Sequence, residues 1–393
     1  EAAPDGATIY VMSDVEMNQM AWVWEKELTI TSYGVDPVTL SRGENFHTNT
    51  DPARQRYNPA MIEVGGETEQ GTVSSLILTH IILDDMGKYE GEYFVQADSE
   101  GDGETTVSRS EVPNTSIVQD AIIATYNGMG TITLGDGAEL HNYGGMSAVR
   151  LSGGELIMEE GSAILDTTEN EREKGASGSF GPAGAVWLQG GILTMNGGTI
   201  GGDKGVMMNG RALYADGGTA NIGGTIQNIH GTDAAWQGQN GVAVHLRSHG
   251  EATLASTGEI TNVTGTNAGN NCAIWTQFCN FTTKAGSKIS HVDGFQLLYF
   301  DDLDNNNYSH EVYLNGTISE CASGSASLLR SWYGQITFGP NSVIENCSSS
   351  SAGGLIYSNN GSHYTFAGTI RNNTASKGMI YLANQGGGGV IAT

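Results

Sequence analysis

Paired acids and a histidine at a turn are the first residues here able to do chemistry. Asp301-Asp302 set two carboxylates side by side, and Ser248-His249-Gly250 offers an imidazole; brought together they are the parts of general acid–base catalysis. Asp98, Glu100, Asp102 and Glu104, with Gly103, imitate the first half of a calcium-binding loop, but Arg109 stands where the closing acid belongs. A solvated acidic loop is the plainer reading; weak Ca2+ binding at Asp98, Glu100 and Asp102 is the alternative, and no other cofactor is expected. Asp302, Asp304 and Asn306 form a second such alternation, in a run too polar for a core. His245, Arg247 and His249, with Glu251, read as a small exposed charged patch, because His245 and His249 lack a third metal ligand.

A different pattern points to recognition. Nine times the chain sets a large residue after an aliphatic one: Arg150, Trp187, Tyr214, His245, Trp275, Tyr299, Arg330, Tyr357 and Tyr381 follow Val149, Val186, Leu213, Val244, Ile274, Leu298, Leu329, Ile356 and Ile380. Successive strand residues face opposite ways, so inward aliphatics predict an outward, exposed column. Two residues before each member stand Ala148, Ala185, Ala212, Ala243, Ala273, Leu297, Leu328, Leu355 and Met379, expected on the same face and growing more apolar toward the C-terminus. At strand spacing the stripe is roughly 40 Å long. Its Trp, Tyr and Arg content is that of protein-binding hot spots. The competing readings are rings stacked for stability, a stripe covered by loops, and a glycan site. The column includes no acid and its two arginines are six rungs apart, which argues against catalysis on it.

The elements that must position these residues are legible from repeats. Gly 57 against Pro 7 in 393 residues, with 15% charged residues, suggests one repetitive all-β body. Ile200, Ile226, Ile260, Ile289, Ile318, Ile344 and Ile370 recur at intervals of 26, 34, 29, 29, 26 and 26 residues. Between the two registers lies a further short strand, from Leu193–Met195 through Ala220–Ile222, Ala252–Leu254, Phe281–Thr283, Val312–Leu314 and Ile336–Phe338 to Tyr364–Phe366. Three short strands per coil and Gly-rich corners predict a right-handed parallel β-helix. Two residues past the isoleucines, Asn228, Asn262, His291, Glu320, Asn346 and Asn372 predict a structural polar ladder.

The whole of 1–393 reads as one β-helix domain, with 1–130 as N-terminal coils carrying a cap and long loop insertions and 131–393 as regular coils. In the N-terminal part Thr8–Met12, Glu27–Ser32 and Val38–Ser41 read as one coil; Met61–Val64 and Ser75–Leu83 begin another, which Phe94–Gln96, Ile117–Gln119 and Thr131–Leu134 continue. Residues 44–60 and 98–115 read as polar loops, and Trp22 and Trp24 as part of an N-terminal cap. Cys321 and Cys347 fall on adjacent rungs, either as a buried thiol pair or as a disulfide; Cys272 and Cys279 flank a turn with neither zinc nor redox spacing.

Net charge is −26, which opposes nucleic acid and anionic lipid. No apolar run approaches the roughly 18 residues that span a bilayer, no signal peptide or sorting motif is visible, and Glu1 reads as the start of an excised or processed segment.

Gly353-Gly354-Leu355-Ile356, Phe338-Gly339-Pro340-Asn341 and Phe366-Ala367-Gly368-Thr369-Ile370-Arg371-Asn372-Asn373-Thr374-Ala375 resemble the GGAI and FxxN repeats of polymorphic outer-membrane and adhesin-like β-helices. Ile9-Tyr10-Val11-Met12-Ser13-Asp14 with Leu28-Thr29-Ile30-Thr31-Ser32 is similar to the opening coil of large surface proteins of gut Gram-positive bacteria. The resemblance implies a secreted or wall-attached adhesin; some members bind immunoglobulin variable domains as superantigens. Asp301-Asp302 and Ser248-His249-Gly250 also resemble the DD and GHG motifs of polygalacturonases, but in reverse order and without the upstream Asn-Thr-Asp partner.

The expectation is therefore a non-enzymatic bacterial surface protein that binds a host protein, with immunoglobulin first, through the nine column residues. Glycan binding or polysaccharide cleavage is the alternative.

Overall fold

The computed structural model describes residues 3–47, 60–65, 74–86, 92–96, 104–108, 121–144, 147–168, 184–231, 240–265, 271–302, 310–324, 326–350, 354–359, 362–383 and 389–392. Every regular element among them is a strand. The strands form three ladders running the length of a right-handed parallel β-helix. That hand is the one parallel crossovers take, because it lets twisted strands feed back onto their own sheet.

Each expected register is a ladder of paired rungs. The aliphatics of the first strand pair in an unbroken series from Val149 to Ile380. In the middle strand the series runs Leu193, Ala220, Ala252, Phe281, Val312, Ile336, Tyr364. In the third strand it runs from Ile200 to Ile370 and extends back through Ile164, Leu140, Leu83 and Leu40 to Val15. Side chains of all three meet in one continuous core. Each fully buried Leu, Ile or Val there contributes about 1.5–3 kcal/mol of transfer free energy.

Corner chemistry explains the polar ladder. Asn142, Asn228, Asn262, His291, Glu320, Asn346 and Asn372 all have φ between 50° and 55°. Asparagine tolerates this left-handed region better than most residues because its short side chain bonds locally. Asn262 Nδ2 donates to Asn228 Oδ1 at 2.6 Å, and Asn228 Nδ2 donates to the Gly202 carbonyl at 2.9 Å. Where the series departs from asparagine, His291 Nε2 and Glu320 Oε2 meet at 2.8 Å. At the corner between first and middle strands the approach of successive coils demands glycine: a Cβ on Gly218, at φ +86°, would lie 2.3 Å from the Gly191 carbonyl oxygen.

The N-terminal coils differ from the sequence reading. Ala7–Val11 and Glu27–Ser32 are not parts of one coil; they pair with each other and so occupy successive rungs, followed by Ser74–Thr79 and then Gly130–Leu134. Ser75–Leu83 is two strands, bent at His80, whose φ is 50°. Phe94–Gln96 belongs to no rung: Glu92–Gln96 forms an antiparallel hairpin with Glu104–Ser108. These strands alternate as a rung would, and alternation alone does not report which partner a strand takes. Ile117–Gln119 lies outside the described residues.

Candidate functional site

All nine column residues are in register, from Arg150 through Trp187, Tyr214, His245, Trp275, Tyr299, Arg330 and Tyr357 to Tyr381. The ladder continues N-terminally where the sequence rule stopped: Arg150 pairs Ala124, Ala124 pairs Glu63, and Glu63 pairs Trp22. The column therefore does hold an acid. Sequence reading missed Glu63 because Ala124 breaks the run of large residues between it and Arg150. Trp22, of the expected cap, is the column residue of the first described rung, and Trp24 stacks on it with 5.4 Å between centroids.

Exposure is where the expectation fails. Trp187, Trp275 and Tyr299 are 7%, 4% and 2% exposed, Arg150 is 9% and His245 only 1%. Tyr214, Arg330 and Tyr357 are half-buried, and Tyr381 alone is exposed, at 41%. The physical reason is a second layer outside the barrel. Cys272, Trp275 and Tyr299 form an apolar cluster separate from the main core, with Trp332 against it. Residues just ahead of the column strands come alongside: Gly241 N–H donates to His245 Nδ1 at 3.4 Å, and the Arg211 guanidinium lies 5.3 Å from the Tyr214 centroid. The rings also cover one another, with His245 4.9 Å from Tyr214 and 4.6 Å from Trp275.

The expected second apolar stripe is corrected too. Ala148, Ala185, Ala212, Ala243, Ala273, Leu297, Leu328 and Leu355 are all in the barrel core, and only Met379 is exposed. A bulge accounts for this: both Ala148 and Val149 donate their N–H to the Ala185 carbonyl, which breaks the alternation just ahead of the column.

Burial sets the electrostatics. Desolvation lowers the Arg150 pKa, with Glu63 acting in the opposite sense. It brings Arg211 down to about 10. It holds His245 well below the usual imidazole value, helped by Arg211 and Arg247. It pushes Tyr299 up to about 12, with Asp301 adding to the rise. Trp187 Nε1, His245 Nε2, Trp275 Nε1 and both amide atoms of Gln296 are buried without a hydrogen-bond partner among the described residues. Arg150 is held in place, its Nε donating to Gln189 Oε1 and an Nη to Ser152 Oγ, each at 2.9 Å.

Tyr214, Arg330 and Tyr357 are half-buried, and Tyr381 stands on the last rung, where the core-register Ile380 is also open, at 37%. Arg330 lies 5.2 Å from the Tyr299 centroid, 5.6 Å from Tyr357 and 6.0 Å from Trp332; Tyr357 and Tyr381 stack at 5.6 Å and 17°. A guanidinium held between rings and a stacked tyrosine pair present planar, rigid contact surface at low entropic cost.

The expected histidine patch does not form. His245 is inside the column, whereas His249 is exposed at the following corner, so the two cannot share a metal. Arg247 instead reaches back to the Tyr214 hydroxyl, at 3.4 Å. Asp302 and His249, motif fragments far apart in sequence, do approach each other: His310 stands between them, 2.9 Å from Asp302 Oδ1 and 3.2 Å from His249 Nδ1. Sequence reading missed His310, which stands alone in a polar run. The four cysteines are buried free thiols; Cys321 Sγ donates to the Ser319 carbonyl and Cys347 Sγ to the Glu345 carbonyl, each at 3.2 Å. Asp98, Glu100, Asp102 and Arg109, the expected calcium loop, and Asp304 and Asn306 lie outside the described residues. Among the described residues no group of three or more His, Cys, Asp or Glu could hold a metal.

No family model matches the chain, and neither does any curated protein. Among solved structures it is similar to the Streptococcus pneumoniae surface protein and adhesin PfbA, at 11% identity and TM-score 0.34, covering 98% of this chain and 91% of that one. It is also similar to the A-module of the Azotobacter vinelandii mannuronan C-5 epimerase AlgE4, at 8% identity and TM-score 0.32 with the same coverage. For the receptor-binding domain of the siphovirus 9NA tailspike the values are 11% and 0.26, over 97% of this chain and 73% of that one. The architecture rests on the strand register, and these likenesses carry no functional argument.

Proposed function

We propose that this chain is a non-enzymatic, adhesin-like binding protein of a bacterial surface, which captures a host protein on the C-terminal third of its column. The observation that carries the reading is the half-buried aromatic–cation stack, in which Arg330 lies 5.2 Å from the Tyr299 centroid, 5.6 Å from Tyr357 and 6.0 Å from Trp332. Arg, Trp and Tyr half-buried in a packed row are the residues that dominate protein interfaces. The binding role first expected of all nine residues thus narrows to Arg330, Tyr357 and Tyr381, joined by Trp332. Arg150, Trp187, Tyr214, His245, Trp275 and Tyr299 support the row from beneath or beside it. A net charge of −26 favours a partner that is not itself polyanionic.

Immunoglobulin variable domains are the first partner to test, a choice that follows from the sequence resemblance. Purified immunoglobulin on a biosensor is expected to bind the wild-type chain and to lose at least tenfold in affinity on the W332A/Y357A/Y381A triple variant. Unchanged binding by that variant would reject the surface. Silence with immunoglobulin and a response on a glycan array would replace the protein partner with a saccharide.

A further inference from the structure

We infer that His249 and His310 form a binding site for a late first-row divalent cation such as Zn2+ or Cu2+, with Asp302 as the group that orients His310. The geometry comes from corners that depart from the ordinary pattern. Between column strand and middle strand the usual corner is two residues, as at Gly217–Gly218 and Phe278–Cys279. Ser248-His249-Gly250 has one more, and the stretch from Asp302 to His310 separates paired positions Asp301 and Glu311. These two enlarged corners flank the rung of Phe278, and their histidines meet beside it; the Phe278 and His310 centroids are 6.5 Å apart.

Three distances make the case. His310 Nδ1 is 2.9 Å from Asp302 Oδ1, and a carboxylate can only accept, so Nδ1 carries the proton and the Nε2 lone pair is turned outward. That lone pair faces His249 Nδ1 at 3.2 Å. Two imidazole nitrogens bound to one zinc at about 2.0–2.1 Å with a tetrahedral angle lie about 3.3–3.4 Å apart. The separation therefore matches that of a chelated pair; binding needs both rings to turn so that their lone pairs meet on one ion, and the proton now on His249 Nδ1 to pass through solvent to its Nε2.

The surroundings fit the same role. The Asp302 side chain is 0% exposed and His310 only 11%, while His249 opens to solvent. A buried carboxylate behind a ligating imidazole fixes its tautomer and raises its basicity. Asp302 Oδ2 is buried with no hydrogen-bond partner among the described residues, so the carboxylate is committed to His310 there. Ser248 and His249 have φ of 53° and 63°, a left-handed corner where Gly217 and Gly218 stand one coil earlier. No third His, Cys, Asp or Glu joins the pair among the described residues. Imidazole pairs suit Cu2+ and Zn2+ and give Ca2+ or Mg2+ nothing to prefer.

The test is isothermal titration calorimetry of tag-free protein with ZnCl2 and with CuCl2. Wild type is expected to bind one ion per chain, Cu2+ more tightly than Zn2+. H249A and H310A should each lose at least tenfold in affinity, and D302N about tenfold or more. His249 is exposed, so H249A is expected to keep the wild-type melting temperature without metal and to lose the rise that Zn2+ gives the wild type. Absence of saturable binding by wild type, or binding by H249A equal to wild type, would overturn the site. Preference for Ca2+ would overturn it as well.

Discussion

The imidazole of His245 stands edge-on to the indole of Trp275, 4.6 Å between centroids and 69° between planes, and feels the positive charges of Arg211 and Arg247. Burial and these two cations lower its pKa well below the ordinary 6.5. Unfolded, the ring takes a proton near that ordinary value; folded, it does so only at much lower pH. Between the two values the unfolded chain holds more protons, so stability rises with pH. The contribution is complete above about 6.5 and is lost as pH falls toward the folded value, at up to about 1.4 kcal/mol per pH unit. The melting temperature of wild type is expected to fall more steeply from pH 7 to pH 5 than that of His245→Phe, which keeps the ring and removes the titration. Parallel curves would show that His245 is not the group responsible.

A column that is covered at its centre, and for which binding is proposed at its C-terminal third, makes a paired prediction. Trp275 is 4% exposed and holds Cys272, Tyr299 and Trp332 in the outer cluster. Trp275→Ala should destabilise by about 3–5 kcal/mol, the usual cost of truncating a buried tryptophan. Tyr381 is 41% exposed, and Tyr381→Ala should cost less than about 1 kcal/mol. Urea midpoints measure both. Equal costs would mean that the distinction between covered and open halves is wrong.

The three registers and the Asn ladder were legible because each depends on local alternation and on a repeat that returns the same residue to the same corner. Val244, Ile260 and Phe281 are paired as their spacing predicts. Exposure was not legible, because it depends on what lies outside the barrel. That Val244 points inward decides that His245 points outward, but outward is not solvent when Gly241 and Arg211 come alongside. Ala148 was misplaced for a related reason, since a bulge of one residue reverses the face and leaves no mark in the composition. The Asp302–His310–His249 chain joins three enlarged-corner residues that no linear spacing connects.

The left-handed corner offers a cleaner test of sequence logic. Asn262 has φ 51° and donates from Nδ2 to Asn228 Oδ1. Valine there meets the left-handed penalty of about 1–2 kcal/mol per residue and loses the hydrogen bond, worth about 1 kcal/mol. Glycine loses the bond but meets no steric penalty. Asn262→Val is therefore expected to lower the urea midpoint clearly, and Asn262→Gly by less. The reverse order would remove backbone strain as the explanation of the ladder.

Thiol chemistry separates the two readings of the cysteines. Cys272, Cys279, Cys321 and Cys347 are each 2% exposed or less. Burial pushes Cys279 up to about 12 and Cys272 higher still, while its contact with Cys347, then burial, keeps the proton on Cys321. Cys347 alone is shifted down, by its contact with Cys321, and at 2% exposure it is burial that shields it. The thiolate is the species that alkylates, so the native chain should resist iodoacetamide at pH 8. Mass spectrometry is expected to find no adduct on the native protein and four after unfolding in urea. If only two sites label in urea without reductant, and all four label once reductant is added, Cys321 and Cys347 are a disulfide. Rapid labelling of any cysteine in the native chain would mean that its rung opens locally, contrary to the packed core drawn here.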